Sequence, residues 1–526
     1  MNEIGFGVLL RCGQLVIEAS LTLIVGVVVA GVLRRMLGPA GTRHLFGTGI
    51  KGLFRGWLAG VLLPVCSLGV IPVAREMRRA GVPGGTVLSF VLAAPLLNPI
   101  SFLYGLTLAD PMTILTFCGF SLLLSTAAGF LWDRVFAGPS DVSESSERAA
   151  LADAEPLPVY GIKRILSVAV TAIRELTGRD LTYYAMGIFG SALLAGIIPN
   201  ASLQNTMKHD DLISPVLMTL IAVPLFSSPL SGMMKIGLMF DHGNSVGAAF
   251  VLFSLGIGTC LGTLLWLALD FRFQRILPWF LSYVAIILGL AYVTQPLLDD
   301  PRRERIAHTH AFDDYSNPFS SGMGNLELVL AKWKEKFTPL ERPAVYGLAV
   351  MFVLGIALRL SRCDGRIEQW LTTAAPKREG KVSQFDVIVP GYVLAGVAIS
   401  GLIVFSMASA FLYYPDREQC FAEMVAIHAD AMLAVRTNRP ESGNDKTQEA
   451  IRHLERWDLV ARKLEVGTYL RSFKLTEAQK KSANDLREEI EVVRDYLRDG
   501  KILEAKAALK KIEDAYRECK TAYRGE

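Results

Sequence analysis

Long apolar stretches run through the first 414 residues of the chain, and charged residues dominate the rest. A stretch of roughly 18 or more apolar residues is long enough to cross a bilayer as a helix. The sequence predicts ten such segments, at about 13–33, 56–74, 84–107, 111–132, 181–199, 212–240, 246–269, 277–298, 343–360 and 388–412. We therefore expect an all-α polytopic membrane protein with about ten transmembrane helices, followed by a soluble α-helical bundle at 415–526.

A polar, proline-containing element occurs twice within the apolar sequence, 160 residues apart. Pro64 and Ser67 recur as Pro224 and Ser227, and the run Phe-Val-Leu at 90–92 recurs without a gap at 250–252. Such a duplication is typical of transporters that are built from two halves. It predicts an internal repeat of a four-helix half, with the first half at 1–133 and the second at 181–298. The substrate site is then expected where the two copies meet.

The prolines and glycines of each copy predict interruptions in the helices. A proline in a helix interior removes one hydrogen bond and costs ~3 kcal/mol. Within a membrane such a break is tolerated where it faces protein or a wet cavity. The alternative is a structural kink whose freed backbone groups bind nearby serines. The residues expected to break helices are Pro64, Gly69, Pro72, Pro95, Pro99, Pro224, Pro229 and Gly232.

Polar side chains next to these breaks are the candidate site residues. Asn98 lies between two prolines in an apolar segment and has a free amide to offer. Lys235 follows the second copy. A cation at membrane depth costs ~2.5–3.5 kcal/mol, so Lys235 would face an anionic substrate or a proton pathway. The alternative is that its side chain snorkels to the surface. Arg75 occupies the matching position in the first copy and is expected to snorkel. The predicted substrate-binding residues are Cys66, Ser67, Asn98, Ser227, Ser228 and Lys235.

One carboxylate lies well inside an apolar segment. Glu18 belongs to the first predicted span and is the candidate proton-coupling group. A partner for a nearby arginine is the alternative. No ATP-binding motif occurs in the chain, so transport would be driven by an ion gradient or by a downhill solute.

The remaining segments lie outside the repeat. A polar linker at 134–180 contains apolar residues at helical spacing, which predicts an amphipathic helix on the membrane surface or in a soluble linker. A polar loop at 299–342 precedes two additional transmembrane helices at 343–414. The basic residues of the loops leave the membrane orientation open.

The charged region after residue 414 predicts four helices, at 417–436, 447–471, 475–498 and 501–521. An antiparallel arrangement would bring Cys420 and Cys519 to one end of the bundle. A disulfide would then form if this domain is extracytoplasmic, and two free thiols are the alternative.

Composition and motifs exclude several other classes. The net charge of +4 gives no indication of nucleic-acid binding, and no CxxC, HExxH or GxSxG occurs. We expect that the protein has no cofactor and no metal site and that it is not an enzyme. Two alternatives are a Ser231–Lys235 dyad in an intramembrane enzyme, and a metal site formed by His308 and His310 with Asp313 and Asp314.

The first copy also carries a family resemblance. The runs Leu-Pro-Val-Cys-Ser-Leu-Gly-Val-Ile-Pro at 63–72, Arg-Arg-Ala-Gly at 78–81 and Ser-Phe-Val-Leu-Ala-Ala-Pro-Leu-Leu-Asn-Pro at 89–99 resemble the predicted-permease family that includes the organoarsenical efflux (ArsP-like) permeases. The resemblance covers about Glu18 to Leu298 and implies an eight-helix permease with a P-x-C-S-C-G-x-x-P signature. Leu68 stands at the second signature cysteine, so only Cys66 would supply a signature thiol.

The sequence thus predicts a multi-pass permease of the inner cell membrane. We expect a secondary efflux transporter of a small solute that is organoarsenical, metalloid or metal-related. A non-transporting scaffold or sensor that displays residues 415–526 is the alternative. Expected partners are the lipid bilayer and a small molecule or ion, but no nucleic acid. A protein partner for the C-terminal domain is unknown. The formation of a homo-oligomer is a further alternative.

Overall fold

The chain divides into two compact units, Met1–Ile403 and Val404–Glu526. The computed structural model describes residues 3–98, 101–102, 111–138, 162–199, 202–203, 206–209, 211–241, 244–298, 311–319, 326–336, 341–361, 364–372, 415–439, 445–472 and 475–524.

Helices account for the regular structure of the first unit. Short π-helical turns at Leu33–Leu37, Trp132–Phe136 and Leu252–Ile257 continue three of the helices. The helices are α1 (Glu3–Val32), α2 (Gly38–Phe46), α3 (Gly49–Leu62), α4 (Val70–Arg79), α5 (Gly84–Leu96), α6 (Pro111–Leu131), α7 (Ile162–Leu176), α8 (Asp180–Ile197), α9 (Ser214–Ala222), α10 (Pro229–Asp241), α11 (Val246–Val251), α12 (Leu261–Asp270), α13 (Phe273–Leu298), α14 (Leu326–Lys336), α15 (Glu341–Leu360) and α16 (Asp364–Thr372).

Five helical segments of the described residues are long and apolar enough to cross a membrane. They are Glu3–Phe46, Thr113–Phe136, Asp180–Ile197, Phe273–Leu298 and Glu341–Leu360. A sixth results if Val246–Ile257 and Leu261–Asp270, which meet at a bend of 59°, form one broken span. The ten predicted spans are therefore not confirmed.

The difference has a physical cause in the prolines. The predicted span 56–74 consists of α3 and α4 with a non-helical segment between them, and the predicted span 212–240 consists of α9 and α10 with a similar break. The predicted span 84–107 contains only the 13-residue helix α5 within the described residues. The predicted span 388–412 lies outside the described residues. A count of apolar residues does not detect where a helix is interrupted.

Helix α1 is the central element of the first unit. It packs against α4, α7, α8, α14 and α15. Gly26 allows its closest approach, because a β-carbon there would collide with the backbone carbonyl of Gly69. Gly69 in turn faces α1, and a β-carbon on Gly69 would lie 2.5 Å from the carbonyl oxygen of Thr22. The first broken element is thus pressed directly against the backbone of α1.

The amphipathic helix predicted in the linker is α7. Val168, Ala172 and Leu176 are buried on one side of it, while Ile165 and Leu166 are exposed. The buried side packs on α1 and α15. The apolar face of α7 therefore contacts protein along much of its length.

Within its described residues, the second unit contains four helices, close to the predicted positions. Each packs against the next, and the first also packs against the last. Capping boxes begin two of them, with Asp416 and Thr476 as the N-caps. Cys420 and Cys519 are both buried and both free, and burial raises the pKa of these thiols to about 11 and about 12. The helices are α17 (Arg417–Thr437), α18 (Thr447–Ser472), α19 (Glu477–Arg498) and α20 (Ile502–Arg524).

Candidate functional site

The first broken element is the non-helical segment between α3 and α4. Its residues Cys66, Ser67 and Leu68 are fully buried. The backbone N–H of Gly69 donates to the Cys66 sulfur over 3.4 Å, at the start of α4. Pro64 lies in the break itself, whereas Pro72 lies in the first turn of α4. A proline is tolerated there because the first N–H groups of a helix have no partner within the helix.

The second broken element lies between α9 and α10. Pro224 and the two predicted serines Ser227 and Ser228 lie in this non-helical segment, while Pro229 and Gly232 lie in the first turn of α10. Ser191 of α8 receives the freed backbone groups: its hydroxyl donates to the Pro224 carbonyl over 3.2 Å and accepts from the Phe226 N–H over 2.8 Å. A neighbouring serine thus stabilises this break.

The hydroxyl of Ser228 caps α10. It accepts a hydrogen bond of 3.2 Å from the backbone N–H of Ser231, which leaves fewer of the first N–H groups of the helix without a partner. The Ser227 hydroxyl makes a long contact of 3.5 Å to the Ser228 carbonyl and also lies close to the side chain of Tyr315. Both serines are buried. Both hydroxyls therefore have polar neighbours within the protein.

The first broken element contacts the bend of the second half. The Thr263 hydroxyl of α12 donates to the Ser67 carbonyl over 2.5 Å. Its oxygen also lies 3.4 Å from the sulfur of Cys260, just before α12. A β-carbon on Gly187 would contact both Leu68 and the Cys260 sulfur, so these two side chains are neighbours. The structure thereby brings a second thiol next to the signature segment.

Sequence reasoning missed Cys260 because it lies outside the repeated motif. Its presence in the second glycine-containing break, after Gly256 and Gly258, was the available indication. Two buried hydroxyl groups in this region, those of Ser67 and Tyr184, make no hydrogen bond within the described part of the chain. A buried hydroxyl without a partner is costly, and such groups are candidates for contact with a ligand or water.

Asn98 takes part in a local turn. Its side-chain oxygen accepts from the Ser101 N–H over 2.8 Å, and the Ser101 hydroxyl accepts from the Asn98 N–H over 3.0 Å. These are reciprocal bonds of the capping-box type, at the end of α5. Pro95 lies in the last turn of α5, and Pro99 lies outside the described residues. The bonds given for Asn98 therefore connect it to its own turn and not to the other predicted site residues.

Lys235 is buried in a cluster of charged and polar groups. Its ammonium donates to the Ser231 hydroxyl over 2.6 Å and lies 3.6 Å from a carboxylate oxygen of Asp314. It also lies 5.0 Å from the ring centre of Tyr315, within the range of a cation–π contact. Lys235 is therefore paired inside the protein and does not snorkel to the surface.

Glu18 joins the same cluster from α1. Its carboxylate lies 2.9 Å from the ammonium of Lys336, at the end of α14. Lys336 also faces Asp314 at 3.5 Å, and Arg11 faces the other Asp314 oxygen at 3.2 Å. We call Arg11, Glu18, Lys235, Asp314 and Lys336 the Asp314 cluster. Glu18, the predicted coupling carboxylate, and Lys235, the predicted substrate-binding cation, are thus linked through Lys336 and Asp314. Neither of these two linking residues was selected for this role from the sequence.

The charges of the Asp314 cluster support one another. Burial alone would raise the pKa of Asp314, but the charges of Lys235, Lys336 and Arg11 lower it well below its usual range. Burial opposes the charge on Lys336, but Glu18 and Asp314 raise its pKa above its usual value. The carboxylate of Asp314 is therefore ionised and holds three cations together.

The cluster borders a cavity of about 360 Å³. Arg11 is fixed at its wall, because its guanidinium also donates to the backbone carbonyls of Asp313 and Ser316. The polar residues that line the cavity are Arg11, Gln14, Asp313, Asp314, Lys332 and Lys336.

A second ion-pair cluster lies at the other end of α1. Arg75 pairs with Asp180, at the start of α8, and lies 3.3 Å from Glu175. Arg34, just beyond α1, lies 3.4 Å from Glu175 and 3.7 Å from Glu76. We call Arg34, Arg75, Glu76, Glu175 and Asp180 the Asp180 cluster. Arg75, expected to snorkel, is instead half-buried in ion pairs.

The geometry also bears on the alternative of a Ser–Lys dyad. Ser231 and Lys235 do share a hydrogen bond, as such a dyad requires. A general base must be neutral to accept the serine proton. The Lys235 ammonium donates to Ser231 and faces Asp314, an arrangement that suits a charged lysine. These contacts favour Lys235 as a partner of charged groups over Lys235 as the base that activates Ser231 as a nucleophile.

The predicted loop metal site is not assembled in the described part of the chain. Asp313 and Asp314 are described, and Asp314 pairs with cations, but His308 and His310 lie outside the described residues. Among the described residues, no group of three or more histidine, cysteine and acidic side chains could hold a metal ion.

The sequence that forms these elements matches a known family. A family described as predicted permeases matches residues 8–296, which is more than half of the chain. The chain belongs to this family. It is an integral membrane protein of the permease class, and the match covers both broken elements, Glu18 and Lys235, but not Asp314 or Lys336.

Two curated relatives are similar to parts of this permease. The UPF0718 protein YcgR of Bacillus subtilis is 32% identical over 88 residues, which is 16% of this chain and 30% of that protein. A predicted subunit of a two-component membrane permease complex from Streptococcus mutans is 23% identical over 249 residues, which is 45% of this chain and 79% of that protein. No solved structure matches the chain.

Proposed function

We propose that this permease is a secondary transporter that moves a small solute out of the cell across the inner membrane. Its solute pathway would run between the two broken elements, at 63–69 and 223–228. One observation carries the proposal: non-helical segments that lie 160 residues apart are both buried in one core. Irregular backbone at membrane depth is tolerated where it is buried in protein or lines a cavity, and in transporters it forms the substrate site.

The helix bounds support two repeated halves. The order of α3, break, α4 and α5 in the first half recurs at the same spacing as α9, break, α10 and α11. The packing recurs as well, since α3 contacts α5 and α9 contacts α11, while α4 contacts α5 and α10 contacts α11. We propose that the two halves descend from one four-helix unit.

The two ion-pair clusters support an inverted relation of the halves. Arg75 and Lys235 hold matching positions in the repeat, yet their clusters involve opposite ends of α1, through Arg34 and Arg11. These two arginines stand 23 residues apart. That separation is roughly 35 Å at the helical rise of 1.5 Å per residue, about the thickness of a bilayer core. Repeats that face opposite sides of the membrane are the basis of alternating access in many transporters.

The same clusters would act as the two gates. In alternating access, ion pairs on one side of the site open while those on the other side hold. We propose that the Asp314 cluster and the Asp180 cluster are these gates, and that the fold described above is a state in which both are closed. Protonation of Glu18 would remove one of the two carboxylates that pair with Lys336 and would couple opening of the first gate to a proton gradient.

A soft, thiol-binding solute is the first substrate class to test. Cys260 lies next to Leu68, two residues after Cys66 in the first broken element, and thiolates are the preferred ligands of soft metals. An organoarsenical or metalloid substrate, as the family resemblance implies, fits this chemistry. Ser227 would add a polar contact from the second break, and Asn98 would add one from the end of α5.

A protein partner is part of the proposal. The Streptococcus mutans relative is named as a subunit of a two-component membrane permease complex. We propose that this chain also works with a second component, which would bind the soluble unit at 404–526. Association of identical copies is a separate possibility that the same purification would reveal.

Transport measured in vesicles tests the function. Purified protein would be reconstituted with an imposed proton gradient, and organoarsenicals, soft metal ions and oxyanions would be offered in turn. Cys66→Ser, Asn98→Ala and Lys235→Ala are expected to lower the rate of the solute that moves. Gly119→Ala is the control, because nothing lies within 4 Å of a β-carbon at that position.

Two results would contradict the proposal. If no solute moves, the scaffold or sensor alternative is favoured, and the soluble unit becomes the functional part. If a solute moves but all three variants transport like the wild type, the assigned site is wrong.

A further inference from the structure

The cavity beside the Asp314 cluster has a composition that the transport proposal does not use. It has a volume of about 360 Å³, within the ~300–1,000 Å³ typical of small-molecule sites. Its polar wall comes from α1, from the segment at 311–319 and from α14. The cavity lies at the predicted polar loop, away from the contact between Cys260 and the first broken element.

Among the described residues, the charges around the cavity have a positive excess. Four cations, Arg11, Lys235, Lys332 and Lys336, stand against three carboxylates, Glu18, Asp313 and Asp314. Asp314 already faces three of the cations. A partly buried excess charge is unfavourable unless a counter-charge enters. An anion would offset this excess, whereas a cation would increase it.

Lys332 is the cavity-lining cation that forms no ion pair with another described residue. It lines the cavity from α14, one turn before Lys336. Its ammonium takes part in no ion pair or hydrogen bond given for the described stretches of the chain, whereas Lys336 pairs with both Glu18 and Asp314. An amine that faces a cavity with no partner is available to a ligand.

We infer that this cavity binds a small organic anion, a carboxylate or a phosphate monoester, and that Asp314 is a built-in competitor for the same cations. The inference rests on the proposed transport function, because it names a substrate class that would act on the Asp314 cluster, one of the two proposed gates. A bound anion would contact Lys332 and Arg11 and would take the place of the Asp314 carboxylate. Lys235 would then be released from Asp314, so anion entry would loosen the Asp314 cluster.

Direct binding tests the inference without any need for transport. The full-length protein in detergent would be heated with succinate, with inorganic phosphate, or with sodium chloride at the same ionic strength. We expect succinate or phosphate to raise Tm by several degrees beyond chloride, and choline to leave it unchanged. Lys332→Gln should weaken the anion effect at least fivefold in midpoint concentration. Lys334→Gln on the same helix is the matched control, because Lys334 is exposed and does not line the cavity.

The Asp314→Asn variant separates competition from other roles. If Asp314 competes with the ligand, this variant lowers the anion concentration at half effect. If it abolishes the effect, or if neither anion raises Tm beyond chloride, the inference is wrong. Anion binding without transport of any solute would support the inference and contradict the proposed function. Transport of a solute without anion binding would support the proposed function and contradict the inference.

Discussion

Single residues at the contact between α1 and the first broken element determine how closely the backbone segments approach. Gly26 and Gly69 face each other without side chains, and the carbonyls of Gly69 and Thr22 occupy the space that β-carbons would need. Small residues are the usual means of close helix packing in membranes. This contact is a residue-scale feature that the pattern of apolar positions does not reveal.

The Gly26→Ala variant is expected to destabilise the protein. Its new methyl group would collide with the Gly69 carbonyl, and overpacking of this kind costs about 1–3 kcal/mol. We expect a lower Tm in detergent. Gly119→Ala should leave Tm unchanged or raise it slightly, since its β-carbon meets nothing and alanine is favoured over glycine in a helix by about 1 kcal/mol. Equal Tm values for the two variants would contradict the described contact.

Some site residues could be selected from the sequence because they are unusual where they stand. Lys235 and Glu18 are charges inside apolar segments, and the structure places both in the Asp314 cluster. Their partners could not be selected in this way. Asp314 and Lys336 belong to a polar segment in which charged residues are ordinary, and only the fold brings that segment against α1 and α10.

At the scale of elements, the prolines predict breaks but not what becomes of the apolar segments around them. Pro64 and Pro224 do lie in non-helical backbone. The sequence could not show that α3, α4, α9 and α10 would each be too short to cross a membrane alone. A helix ends where its backbone hydrogen bonds end. A neighbouring residue such as Ser191 stabilises that end by bonding the backbone groups that are left free.

Ser191→Ala tests how the second break is held. It removes both bonds of the Ser191 hydroxyl, to the Pro224 carbonyl and from the Phe226 N–H. Buried backbone groups left without a partner cost about 1–3 kcal/mol each, so Tm should fall by several degrees. Ser282→Ala is the control, because its hydroxyl bonds only to Pro278 in its own helix and is exposed. A Tm loss as small as that of Ser282→Ala would show that Ser191 does not stabilise the break.

At the scale of the whole molecule, the chain combines a unit that contains membrane-length helices with a helical bundle. Membrane insertion, the helical bundle and the permease family all follow from sequence patterns, because apolar length and helical spacing are properties of short segments. The contact between the first broken element and α12 is a long-range property. The contact of Thr263 with Ser67 joins residues 196 positions apart, and no local pattern predicts it.

Alternating access requires that the buried contact between the first broken element and the bend before α12 becomes accessible from each side of the membrane in turn. Cys66 is fully buried in the structure. The most direct test is labelling of a variant that retains Cys66 as its only cysteine, with a membrane-impermeant maleimide, in right-side-out and in inside-out vesicles. A variant that retains only Cys118, which is half-buried in α6, is the reference. We predict slow labelling of Cys66 from both sides, faster when a transported solute is present. Labelling from one side only, or only after unfolding, would contradict alternating access through this site.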